Sequence, residues 1–176
     1  MIQNERDARH QRVMDAVGKM MTAARTAPKA KGIDIIEIMV VEGSDLQTLS
    51  EKTREFSIQN GRKFFFRDAD NVLLAESVLL IGTHQQKQAL DCSYCGFPTC
   101  NDKPDATPCV INSVDVGIAI GSACAMAADM RLDTRVMYSV GYAAKALDWL
   151  KGCDTIFAIL ISASSKNPFF DRKVQI

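Results

Sequence analysis

Hydrophobic positions along this chain alternate between two periods. Over residues 5–26, Val13, Val17, Met20, Met21 and Ala24 recur at three- and four-residue steps, with Arg12, Asp15 and Lys19 elsewhere. That spacing predicts an amphipathic helix with one buried stripe, the methionines filling core. It should stop at Thr26-Ala27-Pro28, because the residue before a proline avoids the helical region. Gly32 then opens an almost continuous apolar run, Ile33–Val41, which predicts a strand buried on both faces. Ser44 and Gln47 have the spacing of a capping box. They begin a second helix through Leu46, Leu49, Phe56 and Ile58 that closes at Asn60-Gly61. Phe64–Phe66 reads as a short apolar piece before a turn over Asp68-Ala69-Asp70-Asn71, and Ser77–Ile81 as another strand.

From Gly82 to Pro108 the pattern is polar and loop-like, broken by Gly96, Pro98, Pro104 and Pro108. Val110–Met130 follows as a long helix on which Gly117 and Gly121 would let a neighbour approach closely. Thr134–Val140 predicts a strand, Tyr142–Leu150 a short helix closed by Lys151-Gly152, and Thr155–Ile161 a strong strand. No repeat or linker interrupts this order. It fits one mixed α+β domain over residues 1–176, with a cysteine-rich loop at about 84–109.

Composition narrows the field. Of 176 residues, 47% are hydrophobic and 24% charged, an ordinary globular balance. Lys+Arg and Asp+Glu both number 21, so the formal net charge is zero. Neither the basic excess of a nucleic-acid binder nor a polybasic membrane anchor is present. The apolar run between Asp115 and Asp129 contains two glycines and a serine, and reads as a buried helix rather than a membrane span. MIQNERDARHQR has charges of both signs and no apolar core, unlike a signal peptide. The expected location is the cytoplasm, where structural disulfides are rare.

Four of the six cysteines fall between Cys92 and Cys109; even scatter would leave fewer than one there. In a reducing compartment such clustering points to a metal or redox site. The spacing is Cys92-x2-Cys95-x4-Cys100-x8-Cys109. A tight turn lets Cys92 and Cys95 aim at one centre, and Gly96 and Pro98 suit the backbone that such a knuckle needs. Cys109 should sit at the start of the long helix, whose N-terminus favours an anionic group. Three close cysteines plus a fourth further on is the form common in iron–sulfur sites. Structural zinc more often takes two short-spaced pairs. A [4Fe–4S] cluster is the leading reading, with Zn2+ and a redox thiol site as alternatives. Cys124 and Cys153 read as small buried hydrophobes. His10 reads as exposed. His84 precedes the cysteine loop, where it either approaches a metal or makes ordinary polar contacts. No Ser-His-Asp order, phosphate loop or zinc-protease motif occurs.

LDCSYCGFPTC, PCVINSVDVGIAIGSACAMAADMRLDTRVMYSVG and ILISASSKNPFFDR together resemble an uncharacterised prokaryotic family of ferredoxin-domain proteins. The resemblance implies a cluster on Cys92, Cys95, Cys100 and Cys109, and supplies no reaction. More distantly, AARTAPKAKGIDIIEIMVV, the Asp115–Asp129 helix with RVMYSVG, and ILISASSKNPFFDRK are similar to flavin-dependent nitroreductases. That similarity implies an α/β sandwich with a mixed sheet flanked by helices, FMN in the interface of a homodimer, and the cysteine loop as an addition. The Arg-Arg-Ser type motif of those enzymes is replaced by the loose RDARHQR at 6–12. Arg25, Lys29, Lys31 and Arg172, with Lys173, would then hold the flavin phosphate, or else stand as solvated surface charges. The Phe64–Phe66 trio would line a flavin pocket or pack the core. Three functions follow as expectations: an iron–sulfur electron carrier of unknown substrate, a zinc-stabilised assembly module, and an FMN-dependent oxidoreductase.

Overall fold

The computed structural model describes residues 2–171. Helix α1 (Glu5–Thr26) is capped by Asn4, whose side chain accepts the Arg6 N–H at 3.0 Å, and ends before Pro28 as expected. Strand β1 (Ile36–Val41) leads to α2 (Ser44–Asn60), α3 (Phe64–Leu73) and β2 (Ser77–His84). After the cysteine loop come α4 (Val110–Asp129), β3 (Asp133–Met137), α5 (Tyr138–Ala146) and β4 (Cys153–Ser162).

The four strands form one sheet in the order β1-β2-β4-β3, and every pairing is antiparallel. The expectation of a mixed sheet is corrected on this point: among the described residues no two adjacent strands run the same way. Both faces of the sheet are covered. Val78 and Leu80 of β2 and Ala158 and Leu160 of β4 pack with Val140 and Ala143 of α5, Leu49 of α2 and Val72 of α3. Leu79, Ile81, Ile159 and Ile161, alternating along the same strands, pack with Val13, Val17 and Met20 of α1 and Val116, Ala119 and Ala123 of α4. This two-sided burial is why β2 and β4 read as unbroken apolar runs.

Four local expectations change. Strand β1 is an edge, and Glu37 and Met39 are exposed, so only its ends, Ile36 and Val41, are fully buried. Gly43, with φ 59°, occupies the N-cap of α2, and the Ser44 capping box does not form; Gln47 bonds Glu51 at 2.7 Å instead. The turn expected at 68–71 is helical. Asp68 is buried and accepts from Ser139 Oγ at 2.6 Å, and Asn71 donates to the Phe169 carbonyl at 3.3 Å. Partners distant in sequence thus satisfy the side chains that would otherwise bend the chain locally. Strand β3 stops at Met137 because α5 begins at Tyr138. Gly141 there lies so near β4 that a Cβ would stand 2.0 Å from the Ile156 carbonyl oxygen.

Helix α4 is long and apolar enough, by length and composition alone, to cross a membrane. Here, however, it packs Ala119, Ala123 and Ala127 against α1 and the sheet. Its other face exposes Val114 and Ile118, and a Cβ at Gly117 or Gly121 would meet nothing within 4 Å. The close neighbour expected at these glycines is therefore not within the described chain.

Candidate metal centre

The cysteine loop leaves the end of β2 and returns at the start of α4. Its own side chains fix its path. Ala89, Asp91, Ser93 and Gly96 take left-handed backbone angles, with φ of 51°, 45°, 60° and 87°. The Gly96 N–H closes a turn on the Ser93 carbonyl at 2.9 Å, and Ser93 Oγ donates to the Pro98 carbonyl at 3.2 Å. Asp91 Oδ1 accepts the Cys100 N–H at 2.7 Å and so ties the third cysteine to the segment carrying the first. Thr99 donates to Asp102 through both its N–H and its hydroxyl, at 3.2 and 2.8 Å. Short polar side chains bonding nearby backbone are the ordinary means of holding such a loop.

Cys92, Cys95, Cys100 and Cys109 all line one narrow cavity of about 10 Å³, together with Leu90, Phe97, Val110 and Ile111. None of the four is in a disulfide. Cys109 is the N-cap of α4 and is 6% exposed; the other three are half-buried. The cavity therefore meets the N-terminal end of a 20-residue helix, where backbone N–H groups favour negative charge. Among the described residues no three His, Cys, Asp or Glu side chains gather closely enough to hold a single metal ion.

A polar network behind the cavity joins the loop to the fold. Asn112, 1% exposed, donates to the carbonyls of His84 at 3.3 Å and Gln86 at 2.9 Å, and accepts from Gln88 Nε2 at 2.8 Å. Gln88, 2% exposed, also lines the cavity, and its Oε1 has no partner. Lys31 Nζ donates to the Gln88 carbonyl at 3.2 Å, and Gln85 to the Thr107 carbonyl at 2.7 Å. Asp115, buried on α4, accepts the Ala30 N–H on both oxygens at 3.1 Å. Sequence reasoning did not single out Gln88, Asn112 or Lys103. Their signal was only that polar residues flanked the cysteine motif.

The cations expected at a flavin phosphate have internal partners. Arg25 pairs with Asp34 at 2.7 Å and donates to the Ile36 carbonyl at 2.6 Å. Burial pushes the Asp34 pKa up, but the Arg25 hydrogen bond, the Ile36 N–H and the charges of Arg25 and Lys29 together outweigh it and hold that carboxyl below the usual range. Lys29 Nζ donates to the carbonyls of Ala24, Arg25 and Ala27 at 3.1, 2.5 and 2.8 Å, closing the end of α1. Lys31 is turned to Gln88. Arg172 and Lys173 lie outside the described residues. His84 sits 3.0 Å from the Gly152 carbonyl and 3.2 Å from Glu37, and His10 pairs with Glu42 at 3.2 Å. Neither histidine lines the cysteine cavity. Phe64 and Phe65 stack on each other with ring centroids 4.8 Å apart, and both contact Tyr138; Phe66 lies beneath Arg54. Burial pushes the Cys124 thiol up and the Cys153 thiol up to about 11, the Glu37 carboxylate adding to the latter. Both behave as neutral packed groups.

An uncharacterized protein of Archaeoglobus fulgidus is 37% identical to this chain over 182 residues, 98% of each. The family described as uncharacterized proteins containing a ferredoxin domain matches residues 105–172. The chain belongs to this ferredoxin-domain family. The matched segment of the ferredoxin-domain chain runs from before α4 to past β4 and contains Cys109, with the other three cysteines preceding it. In fold it is similar to a putative nitroreductase in complex with FMN from Desulfovibrio desulfuricans (TM-score 0.60, 14% identity, 90% of this chain and 78% of that one). It is also similar to the hypothetical oxidoreductase YcnD from Bacillus subtilis (0.58, 18%, 87% and 58%). A BluB-like flavoprotein from Clostridium difficile matches as well (0.54, 19%, 88% and 85%). The ferredoxin-domain chain thus has the nitroreductase fold, and spans less than two thirds of the length of YcnD.

Proposed function

We propose that this ferredoxin-domain chain carries a [4Fe–4S] cluster on Cys92, Cys95, Cys100 and Cys109 and passes single electrons. The observation behind this reading is that all four cysteines line one cavity at the N-terminus of α4. Structural zinc more often takes two short-spaced cysteine pairs. Three close cysteines with a fourth further on are the form common in iron–sulfur sites. When bound, such a cluster supplies a one-electron couple between a low-potential donor and an acceptor, without making or breaking a bond. The chain's part is to fix and shield it. The loop's own hydrogen bonds hold Cys92, Cys95 and Cys100 in register, and α4 presents Cys109. Leu90, Phe97 and Ile111 line the cavity with apolar surface that excludes water. Tyr94, between Cys92 and Cys95, is 73% exposed and keeps that edge open to an electron-transfer partner. The work belongs in the reducing cytoplasm, in keeping with six cysteines free of disulfides. The unit is a homodimer packed on the Val114–Ile118 stripe of α4, and the whole chain is one domain.

A second reading, an FMN-dependent oxidoreductase, draws on the nitroreductase fold, which one similar protein displays with FMN bound. Against it, a flavin phosphate would have to displace the internal partners of Arg25, Lys29 and Lys31. Metal, sulfide and flavin content after anaerobic purification tests both readings. The cluster predicts about four irons and four sulfides per chain, a visible absorbance bleached by dithionite, and loss of both in Cys95→Ser. One zinc per chain without iron overturns it in favour of a structural staple. Stoichiometric FMN with NAD(P)H-dependent turnover and no iron establishes the second reading.

A further inference from the structure

Lys103 is 3% exposed, a burial that lysine almost never reaches unpaired. Its ammonium donates to the Thr107 carbonyl at 2.5 Å and the Pro104 carbonyl at 3.2 Å. Among the described residues no carboxylate pairs with it: the nearby Asp105 is taken by Lys87 at 3.1 Å. An ammonium has three donors, and two of them are used. A buried cation compensated only by carbonyl dipoles is costly, because desolvation is not repaid by an opposite charge. Lys103 also lines the cavity of the four cysteines. The missing counter-charge and the site for an anionic centre therefore share one space.

We infer that Lys103 is the charge partner of the cysteine-ligated centre, its free N–H directed to a ligand sulfur. This rests on the cluster reading above. Reduction adds one electron to the centre and, in this assignment, moves no proton. A fixed positive charge in the wall stabilises the more negative, reduced form more than the oxidised one. Lys103 therefore raises the midpoint potential. It is also what makes burial of the lysine tolerable once the centre is in place.

The test is a dithionite redox titration of the anaerobically prepared full chain, followed by electron paramagnetic resonance and visible absorbance, in wild type, Lys103→Met and Lys103→Arg. Methionine keeps the unbranched stem and removes the charge; arginine keeps the charge. A hydrogen bond to a charged group is worth about tenfold or more in an equilibrium constant. Lys103→Met should thus lower the reduced-to-oxidised ratio at the wild-type midpoint by about tenfold, which is about 59 mV for one electron. Lys103→Arg should stay near wild type. Should Lys103→Met lose iron while Lys103→Arg retains it with the wild-type potential, the charge requirement is still upheld. A loaded Lys103→Met with an unshifted potential overturns the assignment and leaves the cluster reading standing. So does equal loss of iron from both variants. Wild-type protein without reducible iron overturns the cluster reading itself.

Discussion

Asn112→Leu removes the amide that joins the two ends of the cysteine loop. Three groups lose a partner: Gln88 Nε2 and the carbonyls of His84 and Gln86. The Gln88 amide is the costly one, since its Oε1 is already unpartnered and the whole side chain is buried. A buried polar group left unsatisfied costs about 1–3 kcal/mol. Taking the upper part of that range for Gln88 and the lower end for each of the two carbonyls, which lie nearer the surface, gives a loss of about 4–5 kcal/mol. For a domain of this size each kcal/mol moves Tm by about 2–4 °C, so Tm should fall by about 8–20 °C. Thermal and urea unfolding, followed by circular dichroism at matched metal content, measures this. The double variant Asn112→Leu/Gln88→Leu supplies the sharper test. Replacing both partners removes the orphaned amide, so it should be less destabilised than the single variant by about 1 kcal/mol or more. A loss below about 1 kcal/mol in the single variant, or a double variant worse than the single, would refute the reasoning.

Gly141→Ala should destabilise by about 3 kcal/mol or more, because its Cβ would lie 2.0 Å from the Ile156 oxygen and α5 would have to leave β4; urea unfolding with a wild-type midpoint contradicts that packing. The Cys153 thiol, pushed up to about 11 by burial and then by Glu37, stays protonated in the folded state through pH values at which the unfolded thiol, near about 8.5, ionises. Its contribution to stability is complete below that unfolded value and is lost as pH rises toward 11. Urea midpoints should fall over that window, and the fall should flatten in Cys153→Ala; an equal slope in both proteins rejects it. Ile118→Lys places a charge on the exposed stripe of α4 and should convert dimer to monomer in analytical ultracentrifugation with secondary structure unchanged. A dimer that survives it moves the interface elsewhere.

Much of this architecture was legible in periodicity. The stripe from Val13 to Ala24 and the runs in β2 and β4 identify their elements because each meets a large apolar partner surface. What failed has one physical source. Ser44-x2-Gln47, Asp68-Ala69-Asp70-Asn71 and the two-sided burial of β1 are local readings overridden by tertiary context: Gly43 takes the cap, Ser139 and Phe169 satisfy the acid and amide, and β1 lies at the sheet edge. At the site the cysteine spacing announced a shared centre, and the structure brings all four to one cavity. The roles of Asn112, Gln88 and Lys103 were not readable. Asn112 and Gln88 depend on contacts across the loop, such as the one from Asn112 to His84, and Lys103 on burial in the cavity wall, neither of which a local period encodes.

Because Asn112 grips the His84 carbonyl, the long excursion from the end of β2 sets out and lands at nearly the same place. The two inner strands and the helices over them need none of the loop's side chains to complete their apolar packing. Such a closed excursion is a detachable cassette. Shortening it to a tight connection changes the closure entropy by only about 0.6 kcal/mol per halving of length. The same architecture can therefore exist with the cassette or without it. Lineages can gain or shed the cysteine centre, and engineers can transplant it, without redesigning the interior that carries it.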